Sequence, residues 1–386
     1  MSLFLEKNNY FKDFELSLKD KLVNMSWSFF ALICIVVATS IVLLYSVSGG
    51  DFSPWAKQQL IRFGLGCVVF FVVALSDLRL WMKYAYVLYA LSLGMLIAVD
   101  IFGHVGMGAQ RWLDLGVIKI QPSELMKITL VLALARYFHS SDEEEIRHTS
   151  HLIIPCLMLG FPVALILLQP DLGTAMMLIF VTVCVFWLVG VQWWKFAIVG
   201  AGALFAIPVA WHFLHDYQKN RILTFLNPER DPLGVGYHIM QSKITLGSGG
   251  VFGKGFLQGT QSHLNFIPEK HTDFIFTVLA EEFGLVGCTF LLGVYLMIVI
   301  YGFVMSMRSN NFFGKLLGLG LTVNFAMYVF INIPMVMGLL PVVGIPLPLV
   351  SYGGSAMLML MAGFGFIECV HINKEMEIGR LGVSND

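Results

Sequence analysis

Apolar runs of about twenty residues recur along most of this chain, and no other feature of the sequence restricts its fold as strongly. A run of that length spans the ~30 Å hydrocarbon core of a bilayer when coiled as an α-helix. Inside lipid every backbone N–H and C=O needs a partner within the protein, so runs this long form helices and not strands. Ten such spans stand at residues 27–48, 58–76, 80–102, 122–138, 152–168, 173–190, 194–213, 273–303, 312–337 and 354–372. The expected fold class is therefore an all-α polytopic membrane protein with about ten transmembrane helices. Composition agrees: only 13% of residues are charged, about half the share of a soluble domain.

Residues 27–372 form one integral domain in this scheme, flanked by cytosolic tails at 1–26 and 373–386. The first tail is mixed in charge and precedes a full-length span, unlike a cleaved signal peptide. A large extracytoplasmic loop, 214–272, separates spans 7 and 8 and is rich in glycine. Loops this long are functional or disordered. Its apolar residues, including Tyr217, Phe225, Leu233, Tyr237 and Phe266, favour a folded cap. Gly236–Leu246 has the pattern of a short amphipathic helix lying on the membrane surface. Arg79, Lys83, Arg136, Arg147, Lys195, Arg308 and Lys315 fall in loops on the same side as the two tails. The positive-inside rule puts that side in the cytosol.

A net charge of −1 gives no case for nucleic-acid binding. Cys34, Cys67, Cys156, Cys184, Cys288 and Cys369 all lie in apolar runs, with neither metal-ligand spacing nor a disulfide framework. Two other signals fail. The run around Lys254 resembles a phosphate loop, but Ser248 stands where the first glycine is required and Gly255 where Ser or Thr is. His212, His215 and Asp216 have metal-like spacing, yet at a helix exit they read as interfacial anchors.

With this topology the unusual polar motifs gather on the outer face. They are Gly108–Trp112 with Gln121–Lys127, then Gln169–Gly173, the long loop, and Pro346–Gly354. Random polar chain ends would scatter over both faces, so convergence on one face points to a shared site. Asn265–Glu282 is the centre of it: a polar stretch with Pro268, Glu269, Lys270, His271 and Asp273, running into an apolar span that carries Glu281 and Glu282. Carboxylates at such positions are costly in a membrane. From the residues alone, Asp273 serves equally as a helix cap or as a reacting group. Glu124 and Lys127 are spaced to pair on one helix. Asp171 suits a cap of the sixth span. Ser351-Tyr352-Gly353-Gly354 is explained equally by tight packing and by substrate contact.

In order and spacing, GAQRW, QPSELMK, QPDLGTA, NPERDPLGVGYH, PEKHTDFIF and PLVSYGGSA resemble the SEDS family (shape, elongation, division, sporulation), over about residues 27–372. Gly338–Gly344 before PLPLVSYGG is more similar to the RodA branch than to the FtsW branch. The resemblance implies a peptidoglycan glycosyltransferase that polymerises lipid II on the outer face of the cytoplasmic membrane. Asp273 stands at the family's essential aspartate. Glycan growth needs a base to take the acceptor hydroxyl's proton as it attacks an anomeric carbon. Partial desolvation at a membrane edge would raise a carboxylate's basicity. An α-linked lipid donor and a β-1,4 product imply inversion, with undecaprenyl pyrophosphate as leaving group.

Substrate-facing candidates around Asp273 are Arg111, Glu124, Lys127, Arg221, Arg230, His271, Glu281 and Ser351. The arginines suit bidentate contact with phosphate. A divalent cation, magnesium or manganese, bridging pyrophosphate and carboxylates is compatible with these groups, although no dedicated cage is visible. The partners implied are lipid II, the nascent glycan strand, a class B penicillin-binding protein as transpeptidase, and other elongation-complex membrane proteins. Two rivals remain. A lipid II flippase also needs intramembrane carboxylates, but its polar groups should line the midplane. A non-catalytic scaffold leaves the acidic residue at the membrane edge unexplained.

Overall fold

The computed structural model describes residues 16–106, 109–114, 119–213, 216–231, 234–263 and 270–379. Lys7, Lys12, Gly108, His215, Leu233, Phe266, Pro268, Glu269 and Arg380 lie outside the described residues. Among the described residues ten long helices follow one another: α1 (Trp27–Val47), α2 (Trp55–Ala74), α3 (Leu78–Phe102), α4 (Pro122–His139), α5 (Ile153–Leu168), α6 (Leu172–Val189), α7 (Trp193–Phe213), α8 (Ile275–Met307), α9 (Phe312–Val336) and α10 (Gly354–Ile372). Local chemistry sets many of their ends. Asp77 accepts from the Arg79 amide at the start of α3, and Pro122 opens α4. Asp171 accepts from the amide and hydroxyl of Thr174, as expected of a cap for α6. Gly190 closes α6 in the left-handed conformation, φ 93°.

Eight of these helices are long and apolar enough to cross a bilayer. The exceptions are α4, which carries Glu124, Lys127 and Arg136, and α7, whose apolar part covers Trp193–Ala206. In α4 the reason is packing. It is buried on nearly every side, against α3, α6 and α9, so its surroundings are protein and not lipid. The most apolar windows of α9 and α10 are 72% buried, against 22% for α3 and α5. The bundle therefore has α4, α9 and α10 inside and α3 and α5 at the periphery.

Close helix approach needs small side chains, because apolar residues gain little from one another in lipid. A Cβ on Gly365 of α10 would come within 2.8 Å of the Phe70 carbonyl of α2. Backbone cannot retreat as a side chain can. Gly365→Val is therefore expected to lower stability by about 1–3 kcal/mol through overpacking, seen as earlier thermal unfolding in detergent.

Three features differ from the sequence expectation. First, the α3–α4 connection holds a small antiparallel sheet in the order β1 (His104–Gly106), β2 (Ala109–Asp114), β3 (Lys119–Ile120), with Val105 opposite Gln110 and Leu113 opposite Ile120. Second, α8 is two helical segments, because Gly284 has φ 65° and ψ −159°. Every residue from Phe274 to Glu282 is buried, whereas Leu285 and Val286 beyond the break are exposed. Third, the amphipathic loop helix, found at Val235–Ser248, packs against α8 and α9. Ile239, Ser242 and Thr245 face inward, and the Ser242 hydroxyl donates to the Val336 carbonyl at 2.5 Å. Met240 and Ile244 face outward. All six cysteines are free.

Candidate active site

Asp273 sits just before α8, and its backbone is pinned from two other elements. The Asn332 amide of α9 donates to the Asp273 carbonyl at 3.0 Å and to the Ile345 carbonyl at 2.7 Å. The Ser351 hydroxyl donates to the Thr272 carbonyl at 2.6 Å and accepts from the Leu347 amide at 2.7 Å. The Tyr352 amide donates to the His271 carbonyl at 2.9 Å. Gly344 takes φ 75°, a conformation that favours glycine, and lies beside the carboxylate, where a Cβ would be in ordinary contact at 3.7 Å from Asp273 Oδ2. Partial burial lowers the pKa of Lys270, three residues earlier.

One helical turn below Asn332 on α9 stands Tyr328. With Glu124 and Lys127 of α4 it makes a closed polar triad. Lys127 Nζ donates to Glu124 Oε1 at 2.6 Å and also to the Tyr328 hydroxyl, which in turn donates to Glu124 Oε2. The ammonium lies 4.2 Å from the Tyr328 ring centre. Both ionised side chains are almost fully buried, at 2% and 6% exposure, so each depends on the other for charge compensation. A small cavity beneath the triad is lined by Glu124, Asn324, Tyr328 and apolar residues of α4, α9 and α10.

The Gln169–Leu172 turn closes another side. Arg111 Nε donates to the Gln169 carbonyl at 3.0 Å and Nη2 to the Pro170 carbonyl. Gln121 donates to Asp171 at 3.3 Å. Gly173 abuts Val343 and Ile345, so this turn packs beside the Asp273 backbone.

A fourth wall comes from α2. Trp55 stacks on His271 at 4.3 Å between ring centres, and Tyr352 meets Trp55 edge-on at 4.8 Å. The Tyr352 hydroxyl donates to Gln58. The Arg62 guanidinium lies 4.1 Å from the Tyr352 ring centre. Its Nη1 is buried without a hydrogen-bond partner among the described residues.

The structure thus draws together Arg111, Glu124, Lys127, His271, Asp273 and Ser351. Glu281 is not in this group: its Oε1 accepts from Lys254 Nζ at 2.7 Å, Gln261 N at 2.8 Å and Thr260 Oγ1 at 3.3 Å. Arg221 is half-buried on the loop helix Asp216–Leu226, and Arg230 is exposed at the turn Pro228–Arg230. Sequence reasoning missed Trp55, Gln58, Arg62, Tyr328 and Asn332. Arg62 had a usable signal, an arginine inside an apolar span. Tyr328 and Asn332 had a weaker one, two polar groups four residues apart on an apolar helix.

Among the described residues no three His, Cys, Asp or Glu side chains converge to hold a metal ion. With Glu124 occupied by Lys127, the described residues do not fit a resident metal cage.

Known proteins are similar to this chain over nearly its whole length. The cell cycle protein family profile that groups FtsW, RodA and SpoVE matches residues 20–376. Peptidoglycan glycosyltransferase MrdB of Escherichia coli (strain K12) is 44% identical over 339 residues, 87% of this chain and 90% of that protein. A probable peptidoglycan glycosyltransferase FtsW of Trichlorobacter lovleyi is 37% identical over 349 residues, 87% and 91% of the two chains. Among solved structures, a chain of a peptidoglycan synthase complex that coordinates polymerization and crosslinking superposes with a TM-score of 0.79 at 32% identity, covering 91% of this chain and 98% of that one. The rod shape determining protein RodA of Thermus thermophilus gives a TM-score of 0.69 at 29% identity, covering 91% and 98%.

Proposed function

This chain belongs to the FtsW, RodA and SpoVE family of cell cycle proteins, and from that premise we propose that it is a peptidoglycan glycosyltransferase with Asp273 at its reaction centre. It joins lipid II units into β-1,4 glycan strands. The observation that supports the assignment is convergence: the chain segments at Gln121–Lys127, Gln169–Gly173, His271–Asp273 and Ile345–Tyr352 pack together beside the backbone that carries Asp273.

Asp273 takes the proton of the acceptor hydroxyl while that oxygen attacks the anomeric carbon of the lipid-linked donor. The bond to undecaprenyl pyrophosphate breaks in the same displacement, with inversion and no covalent enzyme intermediate. Arg62 is the cation best suited to the leaving diphosphate, because its Nη1 has no hydrogen-bond partner among the described residues. Arg111 holds the Gln169–Asp171 turn and flanks the diphosphate. His271 and Ser351 shape the wall nearest Asp273. Glu124 and Lys127 form a charged floor, and Arg221 and Arg230 act from the loop layer.

The site opens to the outside of the cytoplasmic membrane, with both termini in the cytosol and ten spans in all. That count places among the spans both α4, which is surrounded by protein, and α7, whose described side chains are mostly exposed. Residues 214–272 are then extracytoplasmic. The transpeptidase partner is a class B penicillin-binding protein, within a larger elongation complex.

Polymer formation from purified lipid II in detergent tests this assignment, with a cognate penicillin-binding protein whose transpeptidase is blocked. Wild type is expected to make glycan, and Arg62→Met to make it about tenfold more slowly, about one charge-assisted hydrogen bond's worth. No polymer from wild type, with the partner present, would instead favour lipid II transport.

A further inference from the structure

The break in α8 is filled by the long loop. A continuous helix would pair the Leu285 amide with the Glu281 carbonyl and the Val286 amide with the Glu282 carbonyl. All four groups instead meet the segment Gly250–Gly255. Leu285 N donates to Gly250 O at 3.0 Å and Val286 N to Val251 O at 3.1 Å. Lys254 N donates to Glu281 O at 2.9 Å and Gly255 N to Glu282 O at 3.1 Å. Two helical hydrogen bonds have been opened and a strand of loop inserted between their ends.

Only glycines permit this. A Cβ on Gly253 would be 2.1 Å from the Glu282 carbonyl oxygen, and one on Gly284 would be 2.3 Å from the Gly253 nitrogen. The side chains then fasten the insertion. Lys254 Nζ donates to the fully buried Glu281 at 2.7 Å and to Thr260 Oγ1 at 2.8 Å. Ser46 of α1 donates to Glu282.

The short buried helix from Ile275 to Phe283 therefore has two fixed ends. Asn332, Ser351 and Tyr352 hold the end that bears Asp273, and the inserted loop holds the other. We infer that Lys254 and Glu281 are positioning residues for the polymerisation, acting through this helix on Asp273 without touching substrate. The inference rests on Asp273 being the reacting carboxylate. A misplacement of about 1 Å at a reacting group costs on the order of 10²-fold in rate. Release of one of several fastenings should cost less, about tenfold.

The test uses the full chain with its partner and purified lipid II, comparing wild type, Lys254→Met, Lys254→Arg and Asp273→Asn. Lys254→Met leaves the buried Glu281 without its cation but keeps its bonds from Gln261 and Thr260, so thermal unfolding in detergent establishes that the variant is folded before its rate is read. Lys254→Met is expected to lower kcat about tenfold with KM within about twofold, as for an interaction felt only in the transition state. Lys254→Arg should recover most of the loss. Wild-type kcat in Lys254→Met overturns the inference, and so does a raised KM at unchanged kcat, which would mean substrate contact. If Lys254→Met does not fold, Thr260→Val loosens the same fastening more gently and should show the same split; wild-type turnover in it overturns the inference. An active Asp273→Asn removes the premise itself, a failure distinct from either outcome at Lys254.

Discussion

Asp273→Asn is expected to leave a folded protein that forms no detectable glycan from lipid II. Several contacts that place this residue run through backbone: Asn332 donates to its carbonyl, and Ser351 and Tyr352 grip the two residues before it. Asparagine keeps all of these and nearly the same volume. It removes the anionic oxygen that accepts a proton. General-base assistance contributes about 10²–10⁴-fold, and the acceptor hydroxyl is a poor nucleophile without it. Polymer yield and single-turnover rate should fall together, while thermal unfolding stays near wild type. Turnover within a few-fold of wild type in a folded Asp273→Asn would remove this carboxylate from the mechanism.

The second large effect concerns Glu124 and Lys127. Lys127→Met alone leaves an ionised or protonated Glu124 with no cation in a buried site, and breaking such a pair costs about 3–5 kcal/mol. A typical protein has about 5–15 kcal/mol in total, so this variant should unfold far earlier and make little polymer. The double variant Glu124→Gln with Lys127→Met removes both charges and leaves Tyr328 a neutral acceptor. Most of the stability should return. Activity should not, because the charged floor beneath Asp273 is gone. The comparison separates two roles that a single substitution confounds. Recovery of polymer formation along with stability would make the pair a packing device alone.

The glycine-rich run near Lys254 shows how far residue pattern carries an argument. Its spacing fails the requirements of a phosphate loop, and that exclusion is sound at the level of sequence. What the glycines are for depends on Gly284, about thirty residues later, whose backbone opens the gap that the run fills. Glu281 follows the same logic. Its position in an apolar span marks it as costly, but the residues that compensate it, Lys254, Thr260 and Gln261, come from the loop. Glu281 lies before the Gly284 break, on the same short helix that Asp273 leads into, yet its partners come from the loop and not from the Asp273 group.

Helix positions were legible to within a few residues because their causes are local. Apolar runs seek lipid or core, and Pro122, Asp171 and Gly190 act on their own neighbours. The first residues of α2 escaped, since the chain turns helical at Trp55, before the strongly apolar run begins. The motifs that mark the family, and the suspicion attached to Asp273, Glu124, Lys127 and Arg111, also came from the chain itself.

The sequence by itself therefore determined a bundle of apolar helices, their order, and which polar residues needed an explanation. Only the tertiary structure decided which of those residues meet. Lys127 finds Tyr328 across 201 positions of chain, Gln121 finds Asp171 across 50, and Asn332 finds the Asp273 carbonyl across 59. Transfer to an apolar surrounding is close to additive along a segment, so it can be read residue by residue. A buried hydrogen bond or ion pair exists only between two particular groups within about 3 Å of each other, and which two they are is settled by how the helices pack.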